Sequence, residues 1–209
     1  MGKRELNKQA NRSAILDAAC KLFLESGYDV INIRDIIGST DLATGTFYNY
    51  FQTKEEVLRA LIDERVQALA AQLHGVRQKA RSLDEFVHGV YLAAFTAISE
   101  DPVLYHLMMR NEAAVRALYH QSVMGISLET LKADIRDAIR RGIMPVLDVD
   151  YLASALFGAG YEIGRELAST ENRDPATAAA FATRLLLGGI QSFASNKAVT
   201  LKPRVRAAN

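Results

Sequence analysis

Apolar residues recur along this chain with the period of a helix. Ile15, Ala18, Ala19, Leu22 and Phe23 follow the i, i+3, i+4, i+7 rule. So do Val57, Leu58, Leu61, Ile62, Val66, Leu69 and Leu73, and again Leu83, Phe86, Val87, Val90, Tyr91, Ala94 and Ile98. Each set falls on one side of an α-helix. No sustained alternation of apolar and polar positions appears, and no Asn-Gly or Asp-Gly hairpin turn. The punctuation agrees with helices. Gly27 and Gly142 stand where C-terminal caps belong, the latter behind Arg140 and Arg141. Asn32 with Asp35, Thr53 with Glu56 and Ser82 with Glu85 have capping-box spacing. Asp101-Pro102 and Asp174-Pro175 each pair an N-cap acid with proline at the first helical position. The pattern predicts an all-α chain of about nine helices, near 8–26, 33–39, 44–50, 54–78, 83–99, 102–109, 112–141, 149–170 and 175–197.

Helices are short and turns tight up to residue 53; from Lys54 onward the helices are long. That change separates a small module over 1–53 from a larger bundle over 54–197, with the helix near 54–78 connecting them. Residues 198–209 form a basic tail containing Lys202, Arg204 and Arg206 and no acid.

Composition narrows the function classes. Hydrophobic residues make up 49% and charged residues 23%, so most of the chain folds around a core. The formal net charge is +1, and any surface for nucleic acid must therefore be local. The longest strongly apolar stretch, Tyr151 to Tyr161, is too short to cross a bilayer. The start has no apolar segment of a secretory signal, and the single Cys20 has no internal disulfide partner. The expectation is a soluble cytoplasmic protein with no membrane contact. His74, His88, His106 and His120 show no i, i+4 pairing, and no glycine-rich phosphate loop is present. Those absences argue against an enzyme and predict no cofactor, no metal site and no catalytic residue.

The most specific signal lies in residues 33–50. Ile33, Ile36, Ile37, Leu42 and Phe47 are spaced to tuck two short helical segments against the helix before them, which makes a helix-turn-helix unit. The second segment is left presenting Thr44, Gly45, Thr46, Tyr48 and Asn49. Asparagine pairs bidentately with adenine, and threonine donates, accepts or packs on a thymine methyl. Tyr48, Tyr50, Lys54, Arg34 and the capping Asn32 are suited to DNA phosphates. Residues 1–54 hold seven basic and six acidic side chains, but Lys3, Arg4, Lys8 and Arg12 cluster at the start. That cluster either reaches DNA phosphate as an arm or stands as a solvated, frayed beginning.

The run Thr44-Gly45-Thr46-Phe47-Tyr48-Asn49-Tyr50-Phe51-Gln52-Thr53-Lys54-Glu55-Glu56, with Ile33-Arg34-Asp35-Ile36 and the upstream Ile15 to Tyr28 stretch, resembles the DNA-binding domain of the tetracycline-repressor-like (TetR) family. The resemblance covers roughly residues 10–60. It implies a homodimer that reads a palindromic double-stranded DNA operator through the third helix of each subunit, and a C-terminal domain whose small-molecule effector weakens that binding. By position, Tyr48 and Lys54 correspond to phosphate-gripping residues, and Thr44, Thr46 and Asn49 to the groove-facing surface. Two positions depart from the family pattern. Asp41 stands where glycine is usual in the turn, and Ala43 where serine commonly caps the third helix, so Asp41 or Thr44 is left to supply the cap.

The bundle carries weaker signals. The last two helices are rich in small residues and more apolar than one core face requires. Glycine inside a helix costs about 1 kcal/mol relative to alanine and asks for a packing reason. Leu152, Leu156, Gly160, Gly164, Phe181, Leu185, Gly189 and Phe193 are therefore expected at a dimer interface, as the family implies; a buried intrachain pair is the other reading. Tyr91, Phe95, Met109, Arg110, Tyr119, His120, Met124 and Tyr161 are the candidates for a ligand pocket. Methionine and aromatic residues adapt to apolar ligands, and Arg110, with His106, Asn111 and His120 near it in sequence, could orient a carboxylate or phosphate head. An apolar acid or acyl thioester fits that combination. The sequence reads as a ligand-responsive transcriptional regulator, most simply a repressor. The alternative is an all-α small-molecule-binding protein or enzyme that does not touch DNA.

Overall fold

The computed structural model describes residues 2–118, 128–170 and 173–195. Ten helices and no strand occur among them: α1 (Lys3–Glu25), α2 (Ile33–Gly38), α3 (Thr44–Tyr48), α4 (Lys54–Lys79), α5 (Leu83–Glu100), α6 (Pro102–Arg110), α7 (Glu112–Leu118), α8 (Leu128–Arg140), α9 (Val149–Ser169) and α10 (Pro175–Ser195). Where the periodicity suggested one helix over 112–141, α7 and α8 flank residues outside the described set. The first helix starts at Lys3, so the basic beginning of the chain is helical.

The expected caps form. Ser26 N–H closes α1 on Leu22 O, and Gly27 follows at φ 88°, a left-handed backbone that glycine adopts without strain. Asn32 and Asp35 complete a reciprocal capping box on α2. Thr53 and Ser82 accept from the N–H of Glu56 and Glu85, while those glutamates reach back one residue further, to Gln52 and Arg81 N–H. Asp101, Asp148 and Asp174 each accept backbone N–H groups at the starts of α6, α9 and α10.

The chain forms two compact units. The first comprises residues 1–71 and 97–127. Its core gathers Ile15, Ala19 and Phe23 of α1, Ile36 of α2, Phe47 of α3, Val57, Leu58, Ile62 and Val66 of α4, and Leu107, Met108, Val115 and Leu118 of α6 and α7. The second comprises 72–96 and 128–209. There α9 packs against both α8 and α10, around Leu131, Ile135, Ala138, Ala153, Leu156, Leu167, Ala179, Ala182 and Ile190. The sequence division at 53/54 follows the change from short to long helices, whereas these units separate by packing; α4 and α5 each contribute residues to both.

The second unit has a polar anchor as well. Asp134 on α8 is 2% exposed and accepts from Arg77 Nε at 2.6 Å and Gln78 Nε2 at 2.8 Å, with His74 Nδ1 at 3.0 Å. Burial would raise its carboxyl pKa, but hydrogen bonds from Arg77, His74 and Gln78 outweigh burial and hold it below the ordinary carboxylate value. Arg141, at the end of α8, donates to the carbonyls of Arg77, Gln78 and Ala80. It thereby satisfies the open carbonyl end of α4, a cap that the sequence pattern assigned to its own helix.

Candidate nucleic-acid interface

The helix-turn-helix is built from α2 and α3. The Asn32 side-chain oxygen accepts from Arg34 N–H at 2.9 Å and Asp35 N–H at 3.2 Å, while Asp35 accepts Asn32 N–H at 2.8 Å. The turn is organised by Thr40, whose hydroxyl donates to Ile37 O at 2.9 Å and accepts Leu42 N–H at 3.3 Å. A threonine side chain thus holds this turn through hydrogen bonds to the backbone on either side of it. The start of α3 has Ala43 at the cap position with no side-chain cap bond. Neither Asp41 nor Thr44 replaces it.

One residue anchors α3. Phe47 is fully buried between the rings of Tyr48, 5.5 Å away and edge-on, and Phe51, 6.2 Å away. Because 47 points inward, Thr44, Gly45, Tyr48 and Asn49 are exposed and Thr46 is half-buried. Gln52 Nε2 donates to Tyr48 O at 2.6 Å and closes the helix end. Arg34 and Asn32 are exposed on α2, and Tyr50 is half-buried against the core. The nine residues singled out for DNA therefore occupy one small structure, with α3 presenting the outward polar set.

Lys54 is more occupied than its sequence reading suggested. Its ammonium donates to Tyr28 O and Ile31 O, both at 2.6 Å, and lies 4.0 Å from the Tyr28 ring centre. Desolvation lowers its pKa, against the nearby charges of Asp29 and Asp35, which raise it. Of the three ammonium protons, two are donated to the loop backbone and one is not.

A residue that sequence reasoning placed elsewhere supports the same loop. Asn111, 5% exposed, accepts Tyr28 N–H at 2.6 Å and donates to Phe23 O and Leu107 O. Its amide is spent on the backbone of α1 and α6 and is not open to a ligand. The only hint was its place directly after α6, where asparagine often closes a helix.

The candidate pocket residues are distributed. Tyr91 and Phe95 stack at 5.5 Å in the second unit, buried, and Tyr91 OH donates to Leu156 O at 2.8 Å. Tyr161 lies beside Phe157 in the same unit. Half-buried Met109 and exposed Arg110 belong to the first unit. There Arg110 lines a 260 Å³ cavity with Gly27, Tyr28 and Asp29. Tyr119, His120 and Met124 lie outside the described residues. A larger 730 Å³ groove between α9 and α10 is lined by Glu162, Glu166, Arg173, Asp174, Thr177 and Phe181 among others.

The expected interface residues divide as well. Leu152, Leu156 and Gly164 are buried within the second unit, and Gly160 sits under the Tyr91 ring. Phe181 and Leu185 are each 61% exposed, and a Cβ added at Gly189 would meet nothing within 4 Å. The Phe193 side chain lies outside the described ones.

Residues 15–61 match the family described as bacterial regulatory proteins, tetR family. Over 196 residues the chain is 27% identical to the HTH-type transcriptional regulator UidR of Escherichia coli K12, covering 91% of this chain and 97% of that protein. Among solved structures, Salmonella enterica GusR superposes with a TM-score of 0.62 at 22% identity, over 87% of this chain and 96% of that one. FadR from Bacillus subtilis, in complex with stearoyl-CoA, superposes at 0.61 and 22% identity, over 85% and 98%. UidR and FadR are both transcriptional regulators. No helix among the described residues is long and apolar enough to cross a membrane.

Proposed function

This chain belongs to the tetR family of bacterial regulatory proteins, and on that footing we propose that it is a homodimeric, effector-released repressor acting on double-stranded operator DNA in the cytoplasm. The observation that carries the reading is α3. Its one large apolar side chain, Phe47, is wholly buried, and the outward set of Thr44, Gly45, Tyr48 and Asn49 is polar and small enough for a major groove. Two copies of α3, one from each subunit, read half-sites about one helical turn or a multiple apart. Asn49, Thr44 and Thr46 face bases. Tyr48, Arg34, Asn32, Tyr50 and the remaining Lys54 proton hold phosphates and set the register.

The effector is small and largely apolar. Its candidate contacts are Tyr91, Phe95 and Tyr161 of the second unit, and an apolar acid or acyl thioester is the class we assign. The FadR–stearoyl-CoA complex shows that a protein of this fold takes an acyl thioester. The effector must bind the low-affinity conformation better than the DNA-bound one, since equal affinity would shift nothing. The helix α4, which contributes to both units, is the segment proposed to carry the change.

The test is a selection of duplexes from a random pool, followed by anisotropy on the selected sequence. Tyr48→Phe is expected to weaken binding to every sequence alike, and Asn49→Ala to change which base is preferred. Equal losses for both variants at all sequences would contradict the assignment. Displacement of the operator by stearoyl-CoA or a free fatty acid, and not by polar anions of equal charge, would identify the effector class.

A further inference from the structure

Resting on the regulator reading, we propose that the first turns of α1 form a second DNA-binding element, a basic stripe that grips operator phosphates beside the groove entered by α3. The stripe is set by helix geometry. With 3.6 residues per turn, Arg4, Lys8 and Arg12 lie within about 60° of Ile15, on the side of α1 that carries Ile15, Ala19 and Phe23. Those three apolar residues are fully buried in the core that includes α2 and α3. The same side of the helix, continued toward its N-terminus past the last core residue, changes from apolar to basic.

Arg12 fixes the join. Its guanidinium lies 5.6 Å from the ring centre of Phe51, the buried residue just beyond α3, within the range of a cation–π contact. Arg4 and Lys8 are exposed, and neither has an ion-pair partner among the described residues. Glu5 at the rim of the stripe is the only acid before Asp17. Arg4 to Arg12 spans about 12 Å of helix at ~1.5 Å per residue. That is the axial span of roughly three to four phosphates on one strand. Long, flexible cations in a row, joined through Arg12 to the residue just beyond the reading helix and flanked by a single acid, match a polyanion of that repeat.

The experiment compares the full chain with Arg4→Gln/Lys8→Gln and with a control, Lys21→Gln. Glutamine keeps helix propensity and removes charge. Lys21 is exposed on α1 but about 120° from Ile15, off the stripe. Binding is followed by anisotropy against salt concentration, on the selected operator and on a scrambled duplex. The slope of log K against log salt is expected to fall by about 0.9 for each phosphate that the double variant no longer neutralises, with an unchanged preference for operator over scrambled DNA. The control should keep the parent slope. An unchanged slope in the double variant overturns the proposal, and so does an equal fall in the control, which would reduce the effect to net charge. Failure of the parent to select any sequence would instead sink the regulator reading, and the scrambled duplex would still decide the stripe.

Discussion

Asn111 and Tyr28 are joined by a 2.6 Å hydrogen bond from the Tyr28 N–H to the Asn111 side chain, across 83 positions of sequence. The Tyr28 carbonyl is held in turn by Lys54. Both backbone polar groups of Tyr28, in the α1–α2 loop, are thus tied down by side chains from α4 and from the end of α6. The loop leads directly to the Asn32 cap, so it sets where α2, and with it α3, begins.

Asn111→Ala should therefore lower stability by about 1–3 kcal/mol, the cost of leaving buried donors and acceptors without partners. Urea unfolding should show a lower midpoint with an unchanged slope. Operator affinity should drop at a temperature where the variant is still folded. Asn111→Asp keeps the acceptor for Tyr28 but sets a second oxygen against Phe23 O and Leu107 O, so it should not rescue. Parent-like stability in the alanine variant would show that the loop holds itself.

The helices themselves were largely legible in the sequence, because helical period and capping chemistry are local. Asn32 with Asp35, Gly27, and Asp101 before Pro102 each act within a few residues of themselves. Phe47 was legible as an anchor for the same reason. What stayed hidden depends on partners distant in sequence. Asn111 looked like a pocket residue because an amide after a helix carries no mark of whom it bonds. Arg141 was assigned to its own helix end and closes α4 instead. Tyr91 and Gly160 were given separate roles, pocket and interface, and the fold puts one against the other.

That last pair yields a coupling. A Cβ at Gly160 would stand 3.2 Å from the Tyr91 ring, whose hydroxyl reaches Leu156 O. Alanine gains about 1 kcal/mol in helix propensity, but overpacking costs about 1–3 kcal/mol and strains a hydrogen bond worth about 1 kcal/mol. Gly160→Ala should be net destabilising. Tyr91→Phe alone should cost about 0.5–1.5 kcal/mol. Because both changes act on the same bond, the double variant should lose less than the sum. Additive losses in a thermal or urea series would mean that the ring accommodates the methyl freely.

Asp134 predicts an acid limb. Its carboxyl pKa in the folded protein is below the unfolded value, so its stabilisation is complete above about pH 4 and is lost as pH falls through the unfolded and then the folded value. Asp134→Asn lacks that dependence. The parent should be the more stable at pH 7, and the gap between the two should narrow in urea titrations below pH 4. Asp134→Ala leaves the buried Arg77 guanidinium without its carboxylate and should cost about 3–5 kcal/mol at neutral pH. A constant gap across the acid range would place the carboxylate's contribution elsewhere.

The outer face of α10 predicts the oligomer. Phe181 and Leu185 are one turn apart, each 61% exposed, on a helix whose opposite side buries Ala179, Ala182 and Ile190. One turn further on, Gly188 and Gly189 carry no side chain, and a Cβ at either would meet nothing within 4 Å, so another helix could approach closely. Two such faces related by a two-fold axis would cover one another. Phe181→Arg with Leu185→Arg should leave the fold intact, since both side chains are solvated in the single chain, and should set like charges against each other across the axis. Sedimentation equilibrium should show the parent as a dimer and the double variant as a monomer. The monomer should bind an isolated half-site about as well as a full operator, because only a dimer gains from linking two half-sites. A double variant that stays dimeric would move the interface off α10.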